Sequence, residues 1–344
     1  VGWRVGAIGC VFWGCSGAAS FYWTGGAFLR EDGLFLGAAS VCLARKKYFF
    51  WAGVALMWSA LLRVFPVALY GGWVAMVIMY AVQRFRGRPP VDGDKGFLNF
   101  IHPNHRKLIW GSLLALAVLV PASMATTGGT APYKAFIHHI GVHKHTPLTN
   151  HMGVPTIVSH TWEGRMRFTR NDNLDDAFKP WKDGRNERKE ARDPLQKAIF
   201  IGTFLWIAWA LRRSQLLWLG PALSLPLVMC ITDLTCYYYS MYIIAAVVAA
   251  ARRSVGVALL ATAASSVILL GRDIGYADVS LSGFYYVDDN FTAQSYLFFL
   301  YSLLALWAYS RPFSIERLKA WWNRKPEPNP KRVRGKQPTG VAGV

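Results

Sequence analysis

The sequence predicts an all-α integral membrane protein with about ten transmembrane helices and one long loop on the outer side. Three observations carry that expectation. Hydrophobic residues make up 53% of the 344 positions and charged residues only 17%, more apolar surface than one soluble core of this length holds. The apolar residues fall into runs of a length suited to crossing about 30 Å of hydrocarbon. The Lys and Arg clusters fall between alternate runs, which is how short cytoplasmic loops are marked.

Ten runs follow in order: Val5 to Trp23, Phe28 to Ala44, Tyr48 to Leu62, Val67 to Val82, Leu108 to Met124, Ala198 to Leu211, Leu216 to Ile231, Cys236 to Ala250, Val255 to Leu270 and Thr292 to Tyr309. If they simply alternate, Arg45-Lys46-Lys47, Arg84/Arg86/Arg88, Arg106-Lys107, Arg212-Arg213, Arg252-Arg253 and the tail from Arg311 share one side. Both termini are then cytoplasmic. Thr24 to Asp32, Arg63 to Pro66, Ala125 to Lys197, Thr232 to Thr235 and Gly271 to Phe291 are outside. Four regions result: an N-terminal membrane bundle (1–124), an outer loop (125–197), a C-terminal bundle (198–310) and a basic tail (311–344). The net charge of +19 is spread over these clusters and the tail rather than one face of a folded module, so no nucleic-acid partner is expected. Membrane lipid is the expected partner.

Several shorter features qualify this plan. The segments Gly96 to Trp110 and Ile315 to Trp322 mix aromatic and basic residues as interfacial pieces do. In the outer loop, Pro132 suits a first helical turn. Tyr133, Phe136, Ile137 and Ile140 recur at helical spacing after it, predicting an amphipathic helix on the membrane surface. Asp172 to Arg192 is mixed in charge and reads as a solvated helix or loop. The five cysteines, Cys10, Cys15, Cys42, Cys230 and Cys236, lack metal-type spacing and read as small buried hydrophobes. No secretory signal is visible at the start, and the chain begins at Val1 rather than Met, which suggests a fragment or trimmed protein.

Ionisable residues at membrane depth are costly and therefore point to function. Three groups meet at the outer ends of runs: Arg30-Glu31-Asp32; Arg63 just before Phe65-Pro66; and Asp233, followed by Tyr237-Tyr238-Tyr239. Together they predict a pocket bearing cations and carboxylates. Each also has a plainer reading: the arginines snorkel to headgroups, Asp233 caps a helix, and the tyrosines form an interfacial belt. The run His138 to His145, with Asn150, His151 and His160, is similarly open. His139 and His143 are spaced to share a helical face as zinc ligands do, but no carboxylate stands at a matching spacing, and no metal or cofactor is expected. His145, Asn150 and His151, with Lys144, Thr146 and Thr149, equally suit contacts to a phosphate or sugar, or a plain polar loop.

Arg63-Val64-Phe65-Pro66 after the small-residue stretch Ala52-Gly53-Val54-Ala55-Leu56 resembles the pattern of bacterial GT-C glycosyltransferases. The similarity is to the polyprenyl-phosphate mannosyltransferase-like members, the family 87-like group. Asn150-His151-Met152-Gly153-Val154-Pro155 resembles that family's Asn-x-x-Gly-Leu segment, and Trp23 to Leu34 matches the outer turn ahead of the arginine motif. The resemblance implies transfer of a sugar, mannose-like, from a polyprenyl-phosphate donor to a glycan or glycolipid acceptor. It implies inversion, at the outer face of a bacterial inner membrane. By the same resemblance Arg63 contacts the phosphate, with Arg30, His145 and His151 as weaker choices; Asn150 and Asp233 complete the expected substrate contacts. The catalytic acid belongs in the first outer loop: either Asp32 or Glu31 fills that role, or the base precedes Val1 in an N-terminally longer chain. The alternatives are a transporter or flippase for a lipid-linked or anionic solute, and a non-catalytic membrane subunit that presents the outer loop.

Overall fold

The computed structural model describes residues 2–19, 31–87, 97–271 and 287–310. The helices are α1 (Trp3–Cys15), α2 (Glu31–Arg45), α3 (Phe49–Leu62), α4 (Tyr70–Phe85), α5 (Pro103–Thr127), α6 (Ala131–Lys144), α7 (Val154–Ser159), α8 (Met166–Thr169), α9 (Lys179–Ala191), α10 (Asp193–Leu211), α11 (Leu219–Leu223), α12 (Leu225–Ile231), α13 (Arg253–Gly271) and α14 (Val287–Tyr309). Two short strands, β1 (His151–Met152) and β2 (Leu234–Thr235), pair antiparallel. A 3-10 helix, Cys236–Ala250, runs through the core.

Among the described residues, four stretches are long and apolar enough to cross a membrane: Phe65–Phe85, which joins a 3-10 turn to α4, and α5, α10 and α14. Shorter apolar helices are α3, the central 3-10 helix and the Arg253–Leu269 part of α13. The outward faces are apolar too. On α5, Trp110 and Val118 are 60% and 54% exposed, a pattern suited to lipid and costly in water. The chain is thus a helical protein with membrane-embedded segments. Of the ten expected runs, those overlapping these four stretches reach spanning length. The helices described under the other runs have fewer residues, and parts of the first two and the last turn fall outside the described residues, as do Arg30 and the tail from 311.

Small residues let the backbones touch. A Cβ on Gly53 of α3 would overlap the Leu108 carbonyl of α5, and one on Gly111 would overlap the Phe50 carbonyl. Ser112 donates to the Gly53 carbonyl (3.2 Å), and its hydroxyl meets the Tyr70 hydroxyl at 2.7 Å. Such crossings replace hydrophobic driving force with close packing, as membrane helices require. Across α2 and α3, Ser59 donates to the Gly33 carbonyl (2.6 Å) and Ser40 to the Ala52 carbonyl (2.8 Å).

The run Leu216 to Ile231 breaks into α11 and α12. Pro226 cannot donate a backbone hydrogen bond, and Ser224 at the junction instead accepts the Gly72 N–H (2.6 Å) and donates to the Gly220 carbonyl (2.8 Å). The following 15 residues wind as a 3-10 helix, in which residues three apart eclipse. Tyr239 and Tyr242 accordingly stack with their planes 5° apart and pack edge-on against Phe298. Tyr239, Tyr242, Ala245 and Val248 form a ridge buried in the core, whereas Tyr237, Ser240 and Ile243 form a half-buried one. At about 2.0 Å per residue, these 15 residues reach about 30 Å, the full hydrocarbon thickness.

The first turns of α14 are polar and buried. Gln294 accepts from Ser266 (2.6 Å) and donates to Asn290 (3.1 Å), which donates to the Leu269 carbonyl (2.7 Å). Ser266 also accepts the Ala18 N–H (2.9 Å), tying α13 and α14 to the chain after α1. Cys230 and Cys236 are buried as expected, but Cys10 and Cys15 lie exposed on α1, whose buried face is Val5, Gly9 and Phe12. The segment expected to be solvated contains α9, whose Trp181 (2% exposed) and Arg185 (4%) point into the protein. They sit four residues apart and so share a helical face that mixed charge alone conceals.

Candidate functional site

Two constellations form at the end of the bundle where α2 and α14 begin. The first is a crevice lined by Glu31, Gly33, Leu34, Arg63, Phe65, Pro66, Tyr237, Tyr238, Ser240 and Met241, with about 30 Å³ of free volume. Glu31 opens α2, where a carboxylate is favoured by the helix dipole. Arg63 ends α3 in extended conformation, its N–H bonded to the Ser59 carbonyl (3.0 Å), and Pro66 then starts a new turn. Gly33 lies beside the arginine stem, where a Cβ would make ordinary van der Waals contact with Arg63 Cγ at 3.5 Å. The aromatic wall is interlocked: Phe65 meets Tyr238 edge-on at 4.6 Å and Tyr238 meets Tyr237 at 4.7 Å. Asp32, by contrast, is exposed and does not line the crevice.

The second constellation is a buried ionic network that seats the segment 145–192 on the bundle. Asp233 lies with Lys189 Nζ 2.9 Å from one carboxylate oxygen and Arg185 Nη2 4.0 Å from the other. Thr156 donates to Asp233 (2.9 Å) and accepts from Arg185 (2.7 Å). The side chains of Asp233 and Arg185 are 4% and 5% exposed. Burial opposes ionisation of Asp233, but Arg185, then Lys189 and His151, outweigh it and hold the carboxyl below the usual range. Burial likewise lowers Arg185, with Asp233 and Asp288 opposing.

Asp288, at the start of α14, accepts from the Met166 N–H (3.0 Å) and the Trp181 indole (3.1 Å). Its neighbour Asp289 sits 3.5 Å from Arg165 Nη1, and the Arg165 guanidinium lies 3.5 Å over the Trp162 ring. Arg188 donates to the Ser159 carbonyl (2.8 Å). Burial depresses His160, with Asp288 pulling the other way and Arg165, Arg185 and Arg188 adding to the depression. At Gly153 the chain turns with φ 134°, a conformation that disfavours a side chain, and its N–H reaches Ser295 (3.1 Å).

The residues singled out by sequence thus divide. Glu31 and Arg63 share the crevice. Asp233 and His151 share the ionic network, and the pairing of His151 with Thr235 leads straight into the crevice wall at Tyr237. His151 accepts the Leu148 N–H (3.3 Å), and the Asn150 carbonyl accepts the Cys236 N–H (3.0 Å). His145 is exposed, with its carbonyl held by Asn186 (2.8 Å). Arg30 lies outside the described residues, as does the side chain of His143. Among the described residues no three His, Cys, Asp or Glu side chains converge as metal ligands. Sequence reasoning did not single out Arg165, Arg185, Lys189, Asp288 and Asp289. The available signal was the acidic pair just ahead of an apolar run and the isolated Trp181 in a charged one.

Compared with family models, with curated proteins and with solved structures, the chain matches none.

Proposed function

We propose that the chain is a membrane glycosyltransferase that moves a sugar, mannose-like, from a polyprenyl-phosphate donor to a lipid or glycan acceptor. The observation that carries this reading is the pairing of a carboxylate, Glu31, with a guanidinium, Arg63, at one aromatic-walled crevice. Glu31 takes the proton of the attacking acceptor hydroxyl as the new glycosidic bond forms. Arg63 neutralises the lipid phosphate as its bond to the sugar breaks. No cofactor is needed for this inverting displacement. Glu31 is preferred to Asp32 because Asp32 is exposed and does not line the crevice. Asp233, compensated by two cations, is assigned to holding the loop and so setting the position of Tyr237 and Tyr238. The same reading carries the ten-span arrangement, both termini cytoplasmic and the crevice at the outer face of a bacterial inner membrane.

Incubating membranes that carry the chain with a radiolabelled polyprenyl-phosphate sugar tests the proposal. Glu31→Gln and Arg63→Ala should each lower transfer by about two orders of magnitude. Absence of transfer, or transfer indifferent to both changes, refutes it. One observation favours a second reading as a transporter or flippase: α11 and α12 form an interrupted helix in the interior, a device transporters use at solute sites. That interruption carries no charge, whereas the crevice does. Flux of a lipid-linked solute in proteoliposomes without transfer would select this reading.

A further inference from the structure

The helix α6 presents an apolar stripe that the rest of the chain leaves uncovered. Tyr133, Phe136, Ile137 and Ile140 fall within about 100° of one another around the helix. Phe136, Ile137 and Ile140 are 51%, 69% and 43% exposed, and Tyr133 is the least exposed of the described side chains of α6. The flanks carry basic residues: Lys134, His138 and His139. No Asp or Glu occurs anywhere between Asp94 and Glu163, while all eight histidines of the chain lie in that interval.

The position of α6 says what covers the stripe. Only Gly128, Gly129 and Thr130 separate it from the end of α5, a helix of membrane-spanning length. Gly128 and Gly129 have φ of 77° and 112°, so the chain turns off the α5 axis at the point where that helix ends. At the other end, Asn186 of α9 holds the His145 carbonyl (2.8 Å), which ties α6 to the segment seated on the bundle. An apolar stripe fixed at the edge of the hydrocarbon, with cations beside it and no acid in its own stretch of sequence, is complementary to a bilayer interface of negative charge.

We propose that α6 docks on anionic phospholipid headgroups, with Phe136, Ile137 and Ile140 inserted below them. This surface is independent of the sugar-transfer reading. Each lysine near an anionic surface favours docking by about fivefold.

The test reconstitutes the full chain, with its native cysteines replaced, in nanodiscs of phosphatidylcholine with or without phosphatidylglycerol. Nitroxides are attached at Ile137→Cys and Ala135→Cys, on opposite faces of α6. The Ile137 label should collide with oxygen and be shielded from a water-soluble nickel chelate, with the reverse at Ala135. Adding the anionic lipid should deepen the Ile137 label, and Lys134→Glu with His138→Glu should abolish that deepening. Amide exchange of α6 in the unsubstituted chain provides a second measurement and should slow severalfold in the anionic discs. The proposal is overturned by a water-exposed Ile137 label in both lipids. Shielding from both reagents, which would mean protein cover, also overturns it, as does exchange that ignores lipid charge.

Discussion

Asp233→Ala would leave Arg185 and Lys189 facing each other with no carboxylate between them. Arg185 is 5% exposed and cannot reach water without the loop moving, whereas Lys189, at 15%, can swing partly outward. Breaking a buried ion pair by removing one partner costs roughly 3–5 kcal/mol. The escape of Lys189 argues for the low end, about 3 kcal/mol, or about two orders of magnitude in the opening of the loop. Amide exchange of residues 154–159 and 179–191 in detergent or nanodiscs reads that opening directly. The double change Asp233→Asn with Arg185→Met should recover much of the loss, because it removes the stranded charge as well as its partner. The pH dependence has a definite sign. The Asp233 carboxyl is held below its ordinary value, so its contribution is complete above pH about 4 and disappears as pH falls through the depressed value. If Asp233→Ala left exchange of both segments within a factor of two of the original, the network would not be what seats the loop.

Other outcomes follow from the same geometry. Gly53→Ala should destabilise by about 1–3 kcal/mol, since its Cβ meets backbone in α5 that cannot step aside, and unfolding in mixed micelles measures the loss. Gly202→Ala in α10, where a Cβ meets nothing, should be neutral or stabilising by up to about 1 kcal/mol in the same assay. Burial lowers the His160 pKa, so the loop should loosen as pH falls below about 6.5, the range in which the unfolded imidazole binds its proton first. His160→Gln should flatten amide exchange of α7 and α9 across that range, and an unchanged profile would exclude His160 as the cause.

Helices that sit between unambiguous punctuation were legible in the sequence. The run Tyr48 to Leu62 corresponds to α3, Cys236 to Ala250 has the bounds of the central 3-10 helix, and Pro132 marks the start of α6. Hydropathy could not distinguish a 3-10 from an α winding, because the segment is apolar on every face and carries no period to read. Nor could it anticipate that α14 starts five residues earlier than its apolar run: Val287 to Phe291 include two aspartates, met by Trp181, Arg165 and the Met166 N–H of the loop, and an asparagine, met by Gln294 and the Leu269 carbonyl. Span ends led to an expected pocket of Arg30, Glu31, Asp32, Arg63 and Asp233, of which Glu31 and Arg63 line the crevice. The destination of Asp233 was not, since its cationic partners lie in a segment more than forty residues upstream whose mixed charge resembles a solvated surface.

The three-residue winding of Cys236–Ala250 separates two sets of side chains that an α-helix would interleave. One line of positions, beginning at Tyr239, is committed to the interior; another, beginning at Tyr237, borders the crevice. Substitutions along the bordering line can therefore reshape what the crevice admits while the stacked rings behind it stay in place. A single inserted residue would rotate everything downstream by about a third of a turn and carry the interior line to the crevice-bordering position. This stretch is consequently tolerant of replacement at every third position and intolerant of any change in length.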